Sequence, residues 1–228
     1  LENAAASVIR DWKLFWSDQN DPRHPKTADF LLRHGREFTL LGVEPTGKRV
    51  LELGCGSGSL FEAIGFDRAK SYRGVDFSEK MLAAFRATHP GVDVSYGDAS
   101  SYIDDSKYDL IFSNQVAQYF SRSMLARHVA NAHTMLAPGG AIVIGSVPWR
   151  GSRAAFHLQS YNPGSDRRLI KALAVLARSY VGVDRIGRWY SYGEFARIAK
   201  KHGLAATYFG CLQLPYRFHV RMDDMSQV

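Results

Sequence analysis

The sequence predicts an α/β fold, a doubly wound domain built around a mostly parallel sheet. Three observations carry this reading. From Arg49 onward, apolar runs short enough for buried strands alternate with helical stretches. The first run ends in a glycine-dense turn, Glu52-Leu53-Gly54-Cys55-Gly56-Ser57-Gly58. Acidic residues follow the second and third runs, Asp76 and Asp98, at the carboxyl ends where such sheets hold ligands.

Residues 5 to 42 read as mainly helical, with Trp12, Phe15 and Trp16 close together and turn formers interrupting from Asn20 to Pro25. Val50 to Leu53 is an apolar run ending in glycines, as a buried parallel strand would be. A helix is expected from Leu60 to Ile64, and a second strand from Ser71 to Val75. The next helix spans Glu79 to Thr88, with Ser78 as its N-cap. Third and fourth strands follow from Val92 to Tyr96 and from Tyr108 to Ser113, then a helix from Met124 to Leu136. Pro138-Gly139-Gly140 reads as a turn before a fifth strand, Ala141 to Gly145. This alternation implies right-handed crossovers. From Pro148 to Tyr190 the rhythm breaks around one clear helix, Arg167 to Ser179, capped by Asp166. Ser191 and Glu194 form a capping box for a helix running to about His202, which Gly203 ends. Leu204 to Cys211 and Arg217 to Met222 read as strands, antiparallel neighbours at one edge.

A chain of 228 residues suggests one domain with a sizeable core, and 46% hydrophobic with 22% charged residues argues against disorder. The two cysteines, Cys55 and Cys211, have no metal-ligand spacing, so no zinc site and no disulfide framework is expected. No apolar run approaches the ~20 residues needed to span a bilayer, and Leu1 to Arg10 lacks a signal-peptide pattern. A soluble, cytoplasmic protein is expected. The formal charge of +7 permits an anionic partner without identifying one.

Glycines in the first turn allow tight reversal and let backbone N–H groups approach a ligand. The dinucleotide fingerprint wants glycine or alanine at position 59, where this chain has Ser59; that argues against a nicotinamide-dependent oxidoreductase. A carboxylate at Asp76 can accept both hydroxyls of a ribose, with Phe77 and Met81 placed to flank an adenine face. Asp98, in Gly97-Asp98-Ala99, can accept from an adenine amino group. After the fourth strand come Ser113-Asn114-Gln115-Val116, where an activated group and an acceptor could meet.

These segments, together with Leu136 to Gly145, resemble the class I methyltransferases that use S-adenosylmethionine, small-molecule type, in order and spacing over about 95 residues. The resemblance implies a Rossmann-like, seven-stranded sheet with a helical insertion after strand 5. It implies a cofactor site of Glu52, Gly54, Cys55, Gly56, Gly58, Asp76, Phe77, Met81, Asp98, Ala99, Asn114 and Gln115, with S-adenosylhomocysteine as product. It assigns residues 1–45 to an N-terminal helical cover and 148–190 to a substrate cover. No universal catalytic residue carries over. Gln118, Tyr119 and His24 are the candidates for orienting or deprotonating the acceptor.

Asn114-Gln115-Val116-Ala117 lacks the Pro-Pro-aromatic motif of adenine-methylating enzymes, and no RNA-binding module is visible, which argues against nucleic acid. Eight basic residues stand between Arg150 and Tyr190 against Asp166 and Asp184, so this stretch carries six of the seven net charges. A basic cover could recognise phosphate or carboxylate. The expected acceptor is a small molecule, a hydroxyl on an anionic, sugar-like or secondary-metabolite substrate. Methylation of a small amine and cofactor binding without turnover are the alternatives, and a homodimer stays open.

Overall fold

The computed structural model describes residues 27–159 and 186–224, with Leu173 and Ala177 from the stretch between them. Seven strands form one sheet: β1 (Arg49–Leu53), β2 (Ser71–Asp76), β3 (Asp93–Tyr96), β4 (Tyr108–Asn114), β5 (Leu136–Pro148), β6 (Leu204–Gly210) and β7 (Arg217–Asp224). Their order is β3-β2-β1-β4-β5-β7-β6. The first five are parallel, and β7 runs antiparallel to both β5 and β6. The expected hairpin therefore forms, but only β6 is an edge; β7 is slotted inside the sheet.

The helices are α1 (Ala28–Leu40), α2 (Phe61–Ile64), α3 (Glu79–Thr88), α4 (Arg122–Met135), α5 (Arg153–Gln159) and α6 (Tyr192–Lys201). Their starts follow from local chemistry. Thr27 Oγ1 accepts from Phe30 N at 3.2 Å, and Ser78 Oγ from Met81 N at 3.3 Å. Ser121 Oγ accepts from Met124 N at 3.1 Å, so α4 begins two residues before the expected Met124. Glu194 reaches back to Ser191 N at 2.8 Å, the acidic half of the expected box. The Pro138-Gly139-Gly140 turn lies within β5, as an irregularity between the pairs Tyr108–Leu136 and Leu110–Ala141.

Two apolar clusters line the two faces of the sheet. One gathers Leu51, Ile111, Val129, Ile142, Phe195 and Phe218; the other gathers Phe38, Val50, Phe66, Phe85, Leu110 and Phe112. Phe38 brings α1 to the second face, packing edge-on to Phe112 at 4.8 Å with no exposure. Burial of such a ring contributes about 2–3 kcal/mol. The insertion after β5 leaves and returns through a shared stem. Trp149 bridges to Tyr190, Arg150 N donates to Tyr190 O at 2.7 Å, and Tyr190 N to Pro148 O at 2.9 Å.

Residues 1–26, with Trp12, Phe15, Trp16 and His24, lie outside the described residues, as do Tyr161 and most of the predicted Arg167 to Ser179 helix. Among the described residues no helix is long and apolar enough to cross a membrane.

Candidate active site

The site forms at the carboxyl ends of β1, β2 and β4, beside the point where the strand order reverses between β1 and β4. Gly54 N and Cys55 N both donate to Val75 O, at 2.7 and 3.1 Å, which folds the turn after β1 onto the end of β2. Gly54 has φ +87°, and a Cβ there would lie 2.3 Å from Val116 Cγ2, so the β4 turn packs where only glycine fits. At Gly56 (φ +54°) a Cβ would meet nothing within 4 Å. The backbone there borders open space, as a ligand cradle requires.

Asp76 ties the turn to α3. Its Oδ2 accepts from Gly56 N and its Oδ1 from Ser78 N, both at 2.9 Å. Burial pushes its carboxyl above the usual range despite these bonds. The Phe77 amide also donates to this carboxylate, and three backbone donors still leave it acceptor capacity for a further one. Phe77 and Met81, both half-buried, flank this carboxylate in sequence at the start of α3.

Beneath the turn, Glu52 is buried on β1 and accepts from Tyr72 Oη at 2.6 Å. Burial pushes its carboxyl up to about 8, so it is mostly protonated at neutral pH. Cys55 Sγ faces inward, 3.0 Å from where a Gly74 Cβ would stand, and burial pushes the thiol up. Cys55 can therefore meet a ligand only through its backbone. Gly58 (φ +78°) is pressed against the Phe85 ring.

Asp98 and Ala99 follow β3. Asp98 Oδ1 accepts from Ser100 N at 2.9 Å. Ala99 is buried, and its carbonyl lies 2.7 Å from His128 Nδ1. A carbonyl only accepts, so Nδ1 carries the proton. His128 Nε2 then accepts from Ser113 Oγ at 3.3 Å when the ring is neutral, the form that burial favours. His128 thus links the ends of β3 and β4, closer to the site than its place on α4 suggests. At the end of β4, Asn114 Oδ1 is buried with no hydrogen-bond partner among the described residues. Next to it, Gln115 takes φ +56°, and its N–H donates to Gly145 O at 3.1 Å.

Gln118 and Tyr119 lie on the short turn Ala117–Tyr119 after β4. Gln118 is buried, and its backbone carbonyl accepts from Arg188 N at 2.8 Å, which brings the returning limb of the insertion beside this turn. Of the basic cover, Arg167, Arg168, Lys171, Arg178 and Arg185 lie outside the described residues. Arg150 is instead paired with Glu194 at 2.8 Å, and Arg122 holds the other oxygen of that carboxylate at 2.8 Å. Tyr190 is fully buried, its hydroxyl donating to Phe120 O at 2.7 Å, and Trp149 stacks on Tyr192. These aromatics serve the stem of the insertion.

Sequence reasoning missed a buried polar network next to Gln118. Arg217 Nη1 donates to Gln118 Oε1 and to Ser146 O, both at 2.6 Å. Ser146 N donates to His219 Nδ1 at 3.2 Å, so His219 carries its proton on Nε2 and donates to Glu37 Oε2 at 3.1 Å. Ser146 Oγ also lies 3.1 Å from His34 Nε2. Burial pushes the Glu37 carboxyl up, but bonds from His219, Cys211 and the Gln213 amide outweigh it and hold it below the usual range. The only sequence signal for this network is the alternation of polar residues along β7.

A family model for a methyltransferase domain matches residues 50–140, the stretch that builds every part of the cofactor-side geometry above. A probable S-adenosylmethionine-dependent methyltransferase of Mycolicibacterium smegmatis is 28% identical over 75% of this chain and 66% of its own length. Trans-aconitate 2-methyltransferase of Rhizobium rhizogenes is 37% identical over 31% of this chain and 28% of its own. The chain thus spans less than two thirds of these relatives. A crystal structure of an S-adenosylmethionine-dependent methyltransferase from Mesorhizobium loti shares the fold with TM-score 0.59 at 22% identity, covering 83% of this chain and 97% of that one. Fold and family model together support a class I methyltransferase domain: residues 50–140 match the methyltransferase-domain model, and the chain is similar to S-adenosylmethionine-dependent methyltransferases. S-adenosylmethionine is the cofactor of that family.

Proposed function

We propose that the chain transfers the methyl group of S-adenosylmethionine to a hydroxyl oxygen of a small anionic acceptor, sugar-like or of secondary-metabolite type. The observation that carries this reading is the junction of Asp76 with Gly56 N at 2.9 Å. It joins a ribose-binding type of carboxylate to a glycine turn that borders open space.

The residues fit the cofactor's chemistry. In this reading Gly54, Gly56 and Gly58 shape the pocket for the amino-acid end, over Glu52. Asn114 Oδ1, a buried acceptor with no partner among the described residues, takes a hydrogen bond from the cofactor's amino group. Asp76 accepts from the ribose hydroxyls, Phe77 and Met81 flank the adenine, and Asp98 with Ala99 reads its edge. Bound there, the cofactor supplies a methyl group activated by a good leaving group. The chain's residues then need mainly to align and desolvate the acceptor, the role given to Gln118 and Tyr119. The net positive charge between Arg150 and Tyr190 supports an anionic acceptor, as does the trans-aconitate in the name of one relative.

Calorimetric titration with S-adenosylmethionine, S-adenosylhomocysteine and NADH tests the reading. Micromolar binding of the first two without NADH is expected. Binding of NADH alone overturns it, and binding of none of the three removes its basis.

A further inference from the structure

Arg217 opens β7, next to β5, at the carboxyl edge of the sheet, and is 6% exposed. Its environment differs from that of the other buried charged residues. Glu37 receives four donors, Glu194 holds two arginines, and Asp76 holds three backbone amides. Among the described residues Arg217 has only neutral acceptors, Gln118 Oε1 and Ser146 O, both on Nη1. Among the described residues its buried Nε has no hydrogen-bond partner, and no carboxylate lies within ion-pair distance. The guanidinium carbon sits 5.2 Å from the centre of the Tyr216 ring. Phe156 and Trp189 pack around that ring at 4.4 and 6.1 Å. Buried cations are normally paired, because removing a charge from water without a counter-charge is costly.

We infer that Arg217 is the anchor for the anionic group of the acceptor, a carboxylate or phosphate. This rests on the methyltransferase reading and names the side chain that selects its substrate class. Two features place the subsite where the reaction needs it. Gln118, which holds Nη1, belongs to the turn assigned to orient the acceptor. Gly54, in the glycine turn, packs on Val116 two residues before Gln118. The unused guanidinium edge suits a planar or tetrahedral oxyanion, which it can engage with more than one N–H. The Tyr216, Phe156 and Trp189 rings would limit the water that competes for it. Arg217 connects to the buried carboxylate of Glu37 only indirectly, through Ser146 and His219, which orients the arginine without occupying its free edge.

The test titrates inorganic phosphate and, separately, citrate into the protein saturated with S-adenosylhomocysteine, comparing wild type with three variants. Wild type is expected to bind at least one anion saturably, and the stronger of the two tells phosphate-bearing from carboxylate-bearing acceptors. Arg217→Met should lose at least tenfold in anion affinity, and Arg217→Lys should fall between. Gln118→Glu places a carboxylate at Nη1 without removing buried volume. It should abolish anion binding while S-adenosylhomocysteine still binds, and it keeps the test open if Arg217→Met does not fold. Equal anion affinity in wild type and Gln118→Glu overturns the inference, as does absence of saturable anion binding by a wild type that binds S-adenosylhomocysteine. A wild type that fails to bind S-adenosylhomocysteine overturns the methyltransferase reading itself.

Discussion

Glu52→Gln isolates the titration of the most deeply buried acid of the site. The wild-type carboxyl titrates near 8 in the folded protein, against 4.5 for an unperturbed glutamate, because burial disfavours its charge. The sign follows by linkage. Below pH 4.5 both states hold the proton and the group costs nothing. Between 4.5 and 8 the unfolded chain ionises while the folded one stays neutral, so folding stability falls as pH rises. The slope is about 1.4 kcal/mol per pH unit, and the loss levels off near 5 kcal/mol above pH 8. The amide introduced by Glu52→Gln is a neutral isostere whose oxygen still accepts from Tyr72 Oη, so the substitution removes the titration and little else. Urea melts of wild type and Glu52→Gln at pH 5, 6, 7 and 8 give the difference in unfolding free energy. Other acids cancel in that difference. The variant should gain on wild type by roughly 3 kcal/mol or less between pH 5 and 7, and further up to pH 8. A difference independent of pH would falsify the assignment of Glu52 as a buried neutral acid.

Asp76→Ala should weaken S-adenosylhomocysteine affinity by roughly one to two orders of magnitude. It should also lower stability by about 2–3 kcal/mol, since the amides of Gly56 and Ser78 lose a charged acceptor; unchanged affinity in a folded variant removes the ribose role. Gly56→Ala and Gly54→Ala should separate binding from folding. Both incur about 1–2 kcal/mol from positive φ, but a Cβ at 54 also meets Val116 at 2.3 Å, adding about 1–3 kcal/mol, whereas a Cβ at 56 enters only the ligand space. Melts should therefore rank Gly54→Ala as less stable, while calorimetry on Gly56→Ala shows at least a tenfold loss of affinity in a protein that loses only about 1–2 kcal/mol of stability; the reverse ranking contradicts the cradle. Glu37→Gln should cost about 2–3 kcal/mol at pH 7 in urea melts, because it faces backbone N–H donors with an amide. The folded carboxyl lies below 4.5, so its stabilisation is present above that value and fades as pH falls through the folded pKa. Wild type and variant should converge in acid, and a gap that widens toward low pH contradicts this.

The geometry around the glycine turn and Asp76 is legible in the sequence because each of its parts is written in a few consecutive residues. A strand that ends in Glu52-Leu53-Gly54-Cys55-Gly56 can only turn at its glycines, and Asp76 is followed by its own helix cap, Ser78. The buried polar network around Arg217 is assembled across long separations, and local pattern misreads it. Arg217, His219 and Arg221 alternate with Phe218, Val220 and Met222, the signature of a strand with one wet face. The sheet order places β7 between β5 and β6; α1 covers His219 through Glu37 and His34, and the Gln118 turn, Ser146 and Tyr216 stand against Arg217, so both are buried. Glu37 gives no signal, since its partners Cys211 and His219 stand more than 170 residues away. The place of His128 on α4 points away from the strand ends, yet its helix packs across β4 and delivers the ring to Ala99 and Ser113. In the fold, Pro138 to Gly140 is visible as a turn, but nothing local says that pairing with β4 resumes on both sides of it.

The backbone is strained at this same edge of the sheet. Among the described residues, the non-glycine residues with positive φ are Gln115 (56°) and Ser146 (52°). Gln115 directly follows β4, Ser146 lies at the irregularity of β5 between the pairs Ile144–Val220 and Val147–Phe218, and Gln115 N bonds to Gly145 O. Such a conformation costs about 1–2 kcal/mol at each residue, and it persists only where surrounding contacts over-determine it. At Ser146 those contacts are Arg217 on the carbonyl, His219 on the N–H and His34 at the hydroxyl. The polar network therefore does two things at once. It holds the strained irregularity of β5 at Ser146, and it fixes Arg217 beside Gln118. Relaxing Ser146 would release the carbonyl that aims the guanidinium. Local strain and the placing of Arg217 are in that sense one arrangement, and under the inference drawn above the buried histidines and Glu37 would act on acceptor recognition only through Ser146.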